Sequence, residues 1–239
     1  MKKTSLLTLD KLTDYHGNTA LLAEQTSLLA PSYERQNFDS FALHGLTEPL
    51  PGMQHELYTL RDADGCLAAF YTVGYHNVEH TLGCYLGLSA ARDDCKSQGL
   101  GSLLWNAHFQ DCRQMEARMG HRILLYFTTA SPIPFQWFTR TLAEPAPNAR
   151  GCCDELGRHR LRTIATAQYP QASWAAHTPY LLRQAAPGVH YSAHETQRLD
   201  GVSAGLPASF FNDVQLDESQ GDRLLVVGYA PDTALVAVP

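Results

Sequence analysis

Two short stretches of this chain hold residue types that could do chemistry. The first is Lys96-Ser-Gln98-Gly99-Leu100-Gly101-Ser102, which runs into a segment of helical period. A helix N-terminus carries backbone N–H groups with no partner inside the helix, and these point at an anion. Glycines let that backbone come close without a Cβ in the way. Donors from Gln98 to Leu103, the Ser102 hydroxyl and the Lys96 charge would together suit a phosphate, although a tight turn alone would also use Gly99 and Gly101. The second stretch is His76-Asn77-Val78-Glu79-His80, which has the H-x-x-E-H spacing of one class of zinc peptidase. That spacing works on a helix, where positions i and i+4 share a face. Here Phe70 to Val73 and Thr81 to Tyr85 are rich in strand formers, and Gly74 and Asn77 suit a turn. The expected state is a hairpin with no metal, and a zinc hydrolase using His76, Glu79 and His80 stands as a second alternative only. In a hairpin Glu79 and His80 project from opposite faces near the start of a strand, and either could act as a base.

The elements that must position these residues follow from periodicity and turn chemistry. Asn18 reads as an N-cap before Leu21, Leu22, Leu28 and Leu29, and a further helical stretch begins at Pro31 and carries Phe38, Phe41 and Leu43. Strands are expected at His55 to Leu60 and Cys66 to Tyr75, joined by Asp62-Ala63-Asp64-Gly65, then a turn near His76-Asn77 and a strand from Glu79 to Ser89. From Gly101, Leu104, Ala107, His108, Asp111, Cys112 and Met115 recur at helical steps, and Gly120 suits the helix end. Ile123 to Phe127 reads as a buried strand. Ser131 and Pro132 then open a helix carrying Phe135, Trp137, Phe138 and Leu142, and Pro145 to Gly151 reads as loop. Beyond this the pattern is fainter. Leu161 to Ala165 is expected as a strand, Trp174 to Gln184 as a helix, and Val189 to Ala193, Leu224 to Tyr229 and Leu235 to Val238 as strands. Arg150, Arg158, Arg160 and Arg162 read as a solvated strand face, with an anion site as the functional alternative.

Composition sets the outer bounds. The 239 residues are 44% hydrophobic and 18% charged, enough apolar content for a core and too little charge for general disorder. The net charge of −6 argues against a nucleic-acid partner, which would call for a basic face. No uncharged apolar run reaches the roughly 20 residues of a membrane span. The six cysteines form no C-x-x-C pair and read as reduced thiols of a cytoplasmic protein.

The order hairpin, strand, glycine loop, helix, strand, helix over about residues 55–142, together with the loop Lys96 to Gly101, resembles the GNAT superfamily of acyl-CoA-dependent N-acyltransferases. The resemblance implies an α+β fold, a mixed and mainly antiparallel sheet flanked by helices. It implies acetyl-CoA or another acyl-CoA as co-substrate, with its pyrophosphate on Lys96, Gln98, Gly99, Leu100, Gly101 and Ser102. The pantetheine arm would pair with the strand edge at Leu86 and Leu88, where the two central strands splay. The reaction implied is direct acyl transfer, of an acetyl group in the first instance, to a primary amine on a small molecule; a homodimer is compatible with it. The usual proton-donating tyrosine of the helix after the fifth strand falls on Phe138, which cannot give a proton. Tyr126 and Ser131 are the nearest substitutes, and Glu79 or His80 is the expected base. The vacancy at Phe138 also motivates the first alternative, a non-catalytic module of this fold that binds CoA or a partner. Leu88 to Lys96 is about three residues longer than the family's spacing. Residues 1–150 are taken as the acyl-CoA-binding core and 151–239 as an α/β extension packed on it, since Trp174, Tyr180, Leu181, Leu182, Phe210 and Phe211 are too many large apolar groups to leave in water.

Overall fold

The computed structural model describes residues 7–34, 46, 50, 52–96, 98–175, 177–202 and 213–233. Among them nine strands form one sheet: β1 Thr8–Leu12, β2 Gln54–Arg61, β3 Leu67–Val78, β4 Thr81–Ala91, β5 Leu124–Thr129, β6 Ala143–Ala146, β7 Ser173–Ala175, β8 Thr178–Arg183 and β9 Arg223–Tyr229. Their order is β1-β2-β3-β4-β5-β9-β8-β7, with β6 also on β9. The pair β4 and β5 is parallel and the other pairs are antiparallel. Five helices among the described residues flank the sheet: α1 Thr19–Leu29, α2 Leu100–Met119, α3 Pro132–Thr141, α4 Glu155–Gln168 and α5 Ala193–Val202. The fold is therefore α+β with a mixed, mainly antiparallel sheet.

Period-two alternation sorts the strand residues by face. On one face Tyr71, Tyr75 and Cys84 meet His108 of α2. On the other, Leu57 and Phe70 pack with Leu21, Leu28 and Leu29 of α1. The caps are local and read as expected at two helices. The Asn18 side chain accepts from the Leu21 N–H (3.1 Å), and Ser131 accepts from the Ile133 N–H with Pro132 at the first helical position.

Several expectations for the second half give way. Leu161 to Ala165 lies inside α4 rather than in a strand; Asp154 accepts from the Gly157 N–H (2.7 Å), and Leu161, Ile164 and Ala165 bury at helical steps. Arg158, Arg160 and Arg162 thus sit on a helix. Arg160 is buried against Glu144 (3.1 Å) and over the Tyr229 ring (5.1 Å), so it is a packing cation and not an anion site. Trp174 to Gln184 is the β7–β8 hairpin and not a helix, because Leu181 and Leu182 pair with β9 in the sheet. Val189 to Ala193 gives a single bridge, Tyr33 to Tyr191, before α5 begins; Ser192 caps that helix by accepting from the Glu195 N–H (3.1 Å). Pro145 lies in β6 rather than in a loop, and β1 had no visible signal. The turn expected at His76-Asn77 falls at Glu79-His80, where Glu79 has φ of +50°. The expectations for Phe38, Phe41, Leu43, Phe210, Phe211 and Leu235 to Val238 lie outside the described residues.

His108 is fully enclosed in the core, at 0% exposure. Its Nε2 lies 3.1 Å from the Tyr75 hydroxyl and 3.2 Å from Cys112 Sγ, and its Nδ1 lies 3.4 Å from the Tyr71 hydroxyl. Burial pulls its pKa down to about 3. An unfolded histidine takes its proton near 6.5, so the folded state is favoured above that pH and progressively less so as pH falls toward the folded value. Urea unfolding at pH 4.5 should therefore show the parent weakened by about 3 kcal/mol relative to pH 7 from this residue. His108→Gln should lose correspondingly less over the same interval. Equal losses in the two proteins would remove the imidazole from the account.

Candidate active site

The parallel register of β4 with β5 runs through Gly83–Leu124, Cys84–Leu125 and Tyr85–Tyr126 and then stops. Both strands continue, β4 to Ala91 and β5 to Thr129. Each is held by its outer neighbour instead: Ala91 pairs with Ala69 of β3, and Thr129 with Leu224 of β9. The inner edges are thereby drawn apart. A bulge sharpens the bend of β4, where Gly87 and Leu88 together oppose Thr72 of β3. Gly87 is obligatory there, since a Cβ would stand 2.4 Å from Thr72 Oγ1. Backbone polar groups on an open strand edge are available to an extended ligand.

Between the parted edges lies a cavity of about 550 Å³. Leu86 and Leu88 of β4 line it, as do Lys96, Gly99, Leu100, Gly101 and Ser102 at the start of α2. Gly99 caps α2 with φ of +77°, a value that suits glycine, and no side chain caps the helix start. A Cβ on Gly99 would meet nothing within 4 Å, so the space over the helix N-terminus is open. Lys96 Nζ sits 2.6 Å from Asp93 Oδ1. This cradle of unspent N–H groups fits a diphosphate. Gly101 has a further reason to be small: a Cβ there would come within 3.3 Å of the Trp105 ring. Gln98 does not line the cavity; its side chain donates to the Asp94 carbonyl (2.6 Å). The longer spacing before Lys96 is taken up by the bulge and a 3-10 turn, Asp93–Cys95.

The expected catalytic residues separate. Ser131 lines the cavity; its hydroxyl oxygen accepts from Ile133 and keeps its own proton to donate. Tyr126 stands at the point where the strands part, but it is buried and its hydroxyl is 2.7 Å from His76 Nε2. Burial raises the Tyr126 pKa and lowers that of His76, so both are neutral partners at neutral pH. Glu79 and His80 are exposed in the β3–β4 turn and do not line the cavity. From His80 to Leu86 is on the order of 20 Å along the strand at about 3.3 Å per residue, so neither carboxylate nor imidazole faces the cleft. With His76 on β3 and Glu79 and His80 in the turn, the H-x-x-E-H residues have no common helical face. Phe138 lines the cavity from within an aromatic cluster, its ring 4.4 Å from Phe127 and 5.0 Å from Trp105.

A second group of lining residues was not foreseen: Tyr33, Tyr85, Tyr191, Glu195, Arg198 and Arg223, drawn from both halves of the chain. Glu195 is the one carboxylate among the described lining residues, and both its oxygens are taken by Arg198, with the Nε–Oε2 contact at 2.8 Å. The spacing Ser192-x-x-Glu195 is a capping-box signature that would have located α5, though not its role at the cleft.

No family model matches this sequence, and no curated protein matches it either. Among solved structures, the chain is similar to the ribosomal-protein-S18-alanine N-acetyltransferase from Escherichia coli at 14% identity and a TM-score of 0.41, covering 95% of this chain and 96% of that one. It is similar to the ribosomal-protein-alanine N-acetyltransferase from Brucella melitensis biovar Abortus at 16% identity and a TM-score of 0.39, covering 56% and 90%. A third is a fungal multi-domain GH3 β-N-acetylglucosaminidase with a GCN5-related glucosamine N-acetyltransferase region, at 14% identity and a TM-score of 0.41; the match covers 75% of this chain, which spans only 18% of that one. Likeness at this level decides nothing about substrate. On its own topology, with a parallel central pair that parts beyond Tyr85 and Tyr126 and a glycine-turned helix beside the gap, the chain has a GNAT-like fold.

Proposed function

We propose that this protein is an N-acyltransferase that moves an acyl group, acetyl in the first instance, from acyl-CoA to a primary amine. The observation that carries the reading is the parting of β4 from β5 over a cavity that ends at the uncapped N-terminus of α2. The diphosphate would lie on the helix start and the thioester between the open edges. The free-base amine attacks the carbonyl carbon, the C–S bond breaks, and the thiolate leaves with the electron pair. A thiol of pKa about 8.5 departs with little help, so the phenylalanine at position 138 is compatible with turnover. The harder step is freeing an amine of pKa about 10, of which roughly one molecule in a thousand is unprotonated at neutral pH. Glu195, the carboxylate among the described lining residues, is the candidate base in place of Glu79 and His80, once one of its oxygens is released by Arg198. The alternative, a CoA-binding module without turnover, draws on the packing of Phe138 into the aromatic core.

Incubation with acetyl-CoA and a panel of primary amines, followed by thiol release and mass spectrometry, separates the two. Acetylated product is expected, and Glu195→Gln should slow its formation strongly at pH 7 and much less at pH 9, where free base is about a hundredfold more abundant. CoA binding without product from any amine would favour the binding module.

A further inference from the structure

We propose that the acceptor is a small zwitterionic amine, an α-amino acid in the simplest case, and that Arg223 is the residue that binds its carboxylate. The proposal rests on the acyl-transfer reading above and adds the class of acceptor to it.

Three cations line the cavity: Lys96, Arg198 and Arg223. Lys96 is bonded to Asp93, and Arg198 is engaged through two nitrogens by Glu195. Arg223 differs. It is 7% exposed, yet it borders the cavity. Its terminal nitrogens donate to two backbone carbonyls, of Asp222 and Val189, each at 2.7 Å. These carbonyls fix the guanidinium plane, and Glu218 forms a looser ion pair with it at 3.7 Å through an oxygen that also accepts the Tyr191 N–H at 3.0 Å. A guanidinium has five N–H donors, and those two bonds leave three for another partner. Unspent guanidinium donors at a cavity wall suit a planar carboxylate, which meets them through two parallel hydrogen bonds.

The surroundings agree. Burial pushes up the pKa of Tyr85 and Tyr191, the latter to about 12, and Arg223 pulls each back. Tyr33, raised chiefly by burial, feels Tyr191, Arg223, Tyr85 and Glu195 together. The phenols stay protonated, and Glu195, paired with Arg198, lies in the same chamber.

The test uses amine pairs that differ only in the carboxylate: phenylalanine and phenethylamine, tryptophan and tryptamine, lysine and cadaverine. With acetyl-CoA as donor, the amino acid should be favoured in kcat/KM by at least about tenfold in one or more pairs. Arg223→Met should abolish that preference and leave CoA affinity, read by calorimetry, unchanged. Arg223→Lys should retain part of the preference, which guards against a variant that merely misfolds. Independently of turnover, N-acetyl-phenylalanine, N-acetyl-tryptophan or N-acetyl-lysine should bind the parent at millimolar concentration, shown by ligand-observed magnetic resonance, and lose binding in Arg223→Met. Acetylation of amines with no preference for the carboxylate, or no binding by any N-acetyl amino acid, overturns the proposal and leaves acyl transfer standing. Failure to bind CoA would instead count against the acyl-transfer reading.

Discussion

A chain cut after Arg150 is expected to aggregate or to lose cooperative unfolding. Strand β9 belongs to the removed part, and it lies inside the sheet, between β5 and β8. Leu224, Leu225, Val226 and Val227 on it are fully buried. At about 1.5–3 kcal/mol for each large apolar side chain, their loss removes roughly 6–12 kcal/mol, which matches the whole stability of an ordinary domain. It also bares the edge of β5 to intermolecular pairing. Circular dichroism and urea unfolding of the 1–150 fragment check this. A soluble fragment with a sigmoidal transition and normal acceptor kinetics would show residues 151–239 to be independent.

Gly101→Asp should weaken CoA at least tenfold, about 1.4 kcal/mol, in a protein that remains folded. Position 101 is in the first turn of α2, where a negative charge favours the helix by about 0.3–1 kcal/mol and repels a diphosphate. Stability and affinity should therefore move in opposite senses. The new Cβ also presses on the Trp105 ring at 3.3 Å, so Gly101→Ala is the necessary control. If the alanine variant binds CoA nearly as well as the parent and the aspartate variant does not, charge at the helix start is responsible. Equal binding by all three, measured by calorimetry, would move the donor site elsewhere.

The part of the fold legible in the sequence is the part whose signals are local. Asn18, Ser131 with Pro132, Gly120 and the Asp62 to Gly65 turn each act within a few residues, and each stands where the sequence placed it. The glycine loop that lines the cavity was legible for the same reason, as one contiguous stretch. The rest of the lining was not. Tyr33, Tyr85, Glu195 and Arg223 are distant in the chain and meet only because β9 inserts beside β5 and Tyr191 bridges Tyr33. Glu79 and His80, adjacent, ionisable and beside a strand, are set in the turn by a register three residues longer than the glycine and asparagine suggested. In α4, Arg160 hid the helical period by taking a buried position through its pairing with Glu144. In the stretch Trp174 to Gln184, expected as a helix, pairing of β8 with β9 decided the state.

The strand that borders β5 on one side is also the last described strand in the chain. During synthesis β5 therefore leaves the ribosome well before its partner, and at about 5–20 residues per second β9 follows only after several seconds. Through that interval the centre of the sheet has an unsatisfied edge, and the cleft that β9 helps to hold open cannot yet exist. Closing so long a loop late makes the final pairing step slow, in the range of milliseconds to seconds, and the nascent chain is most exposed to misassociation just before it becomes competent.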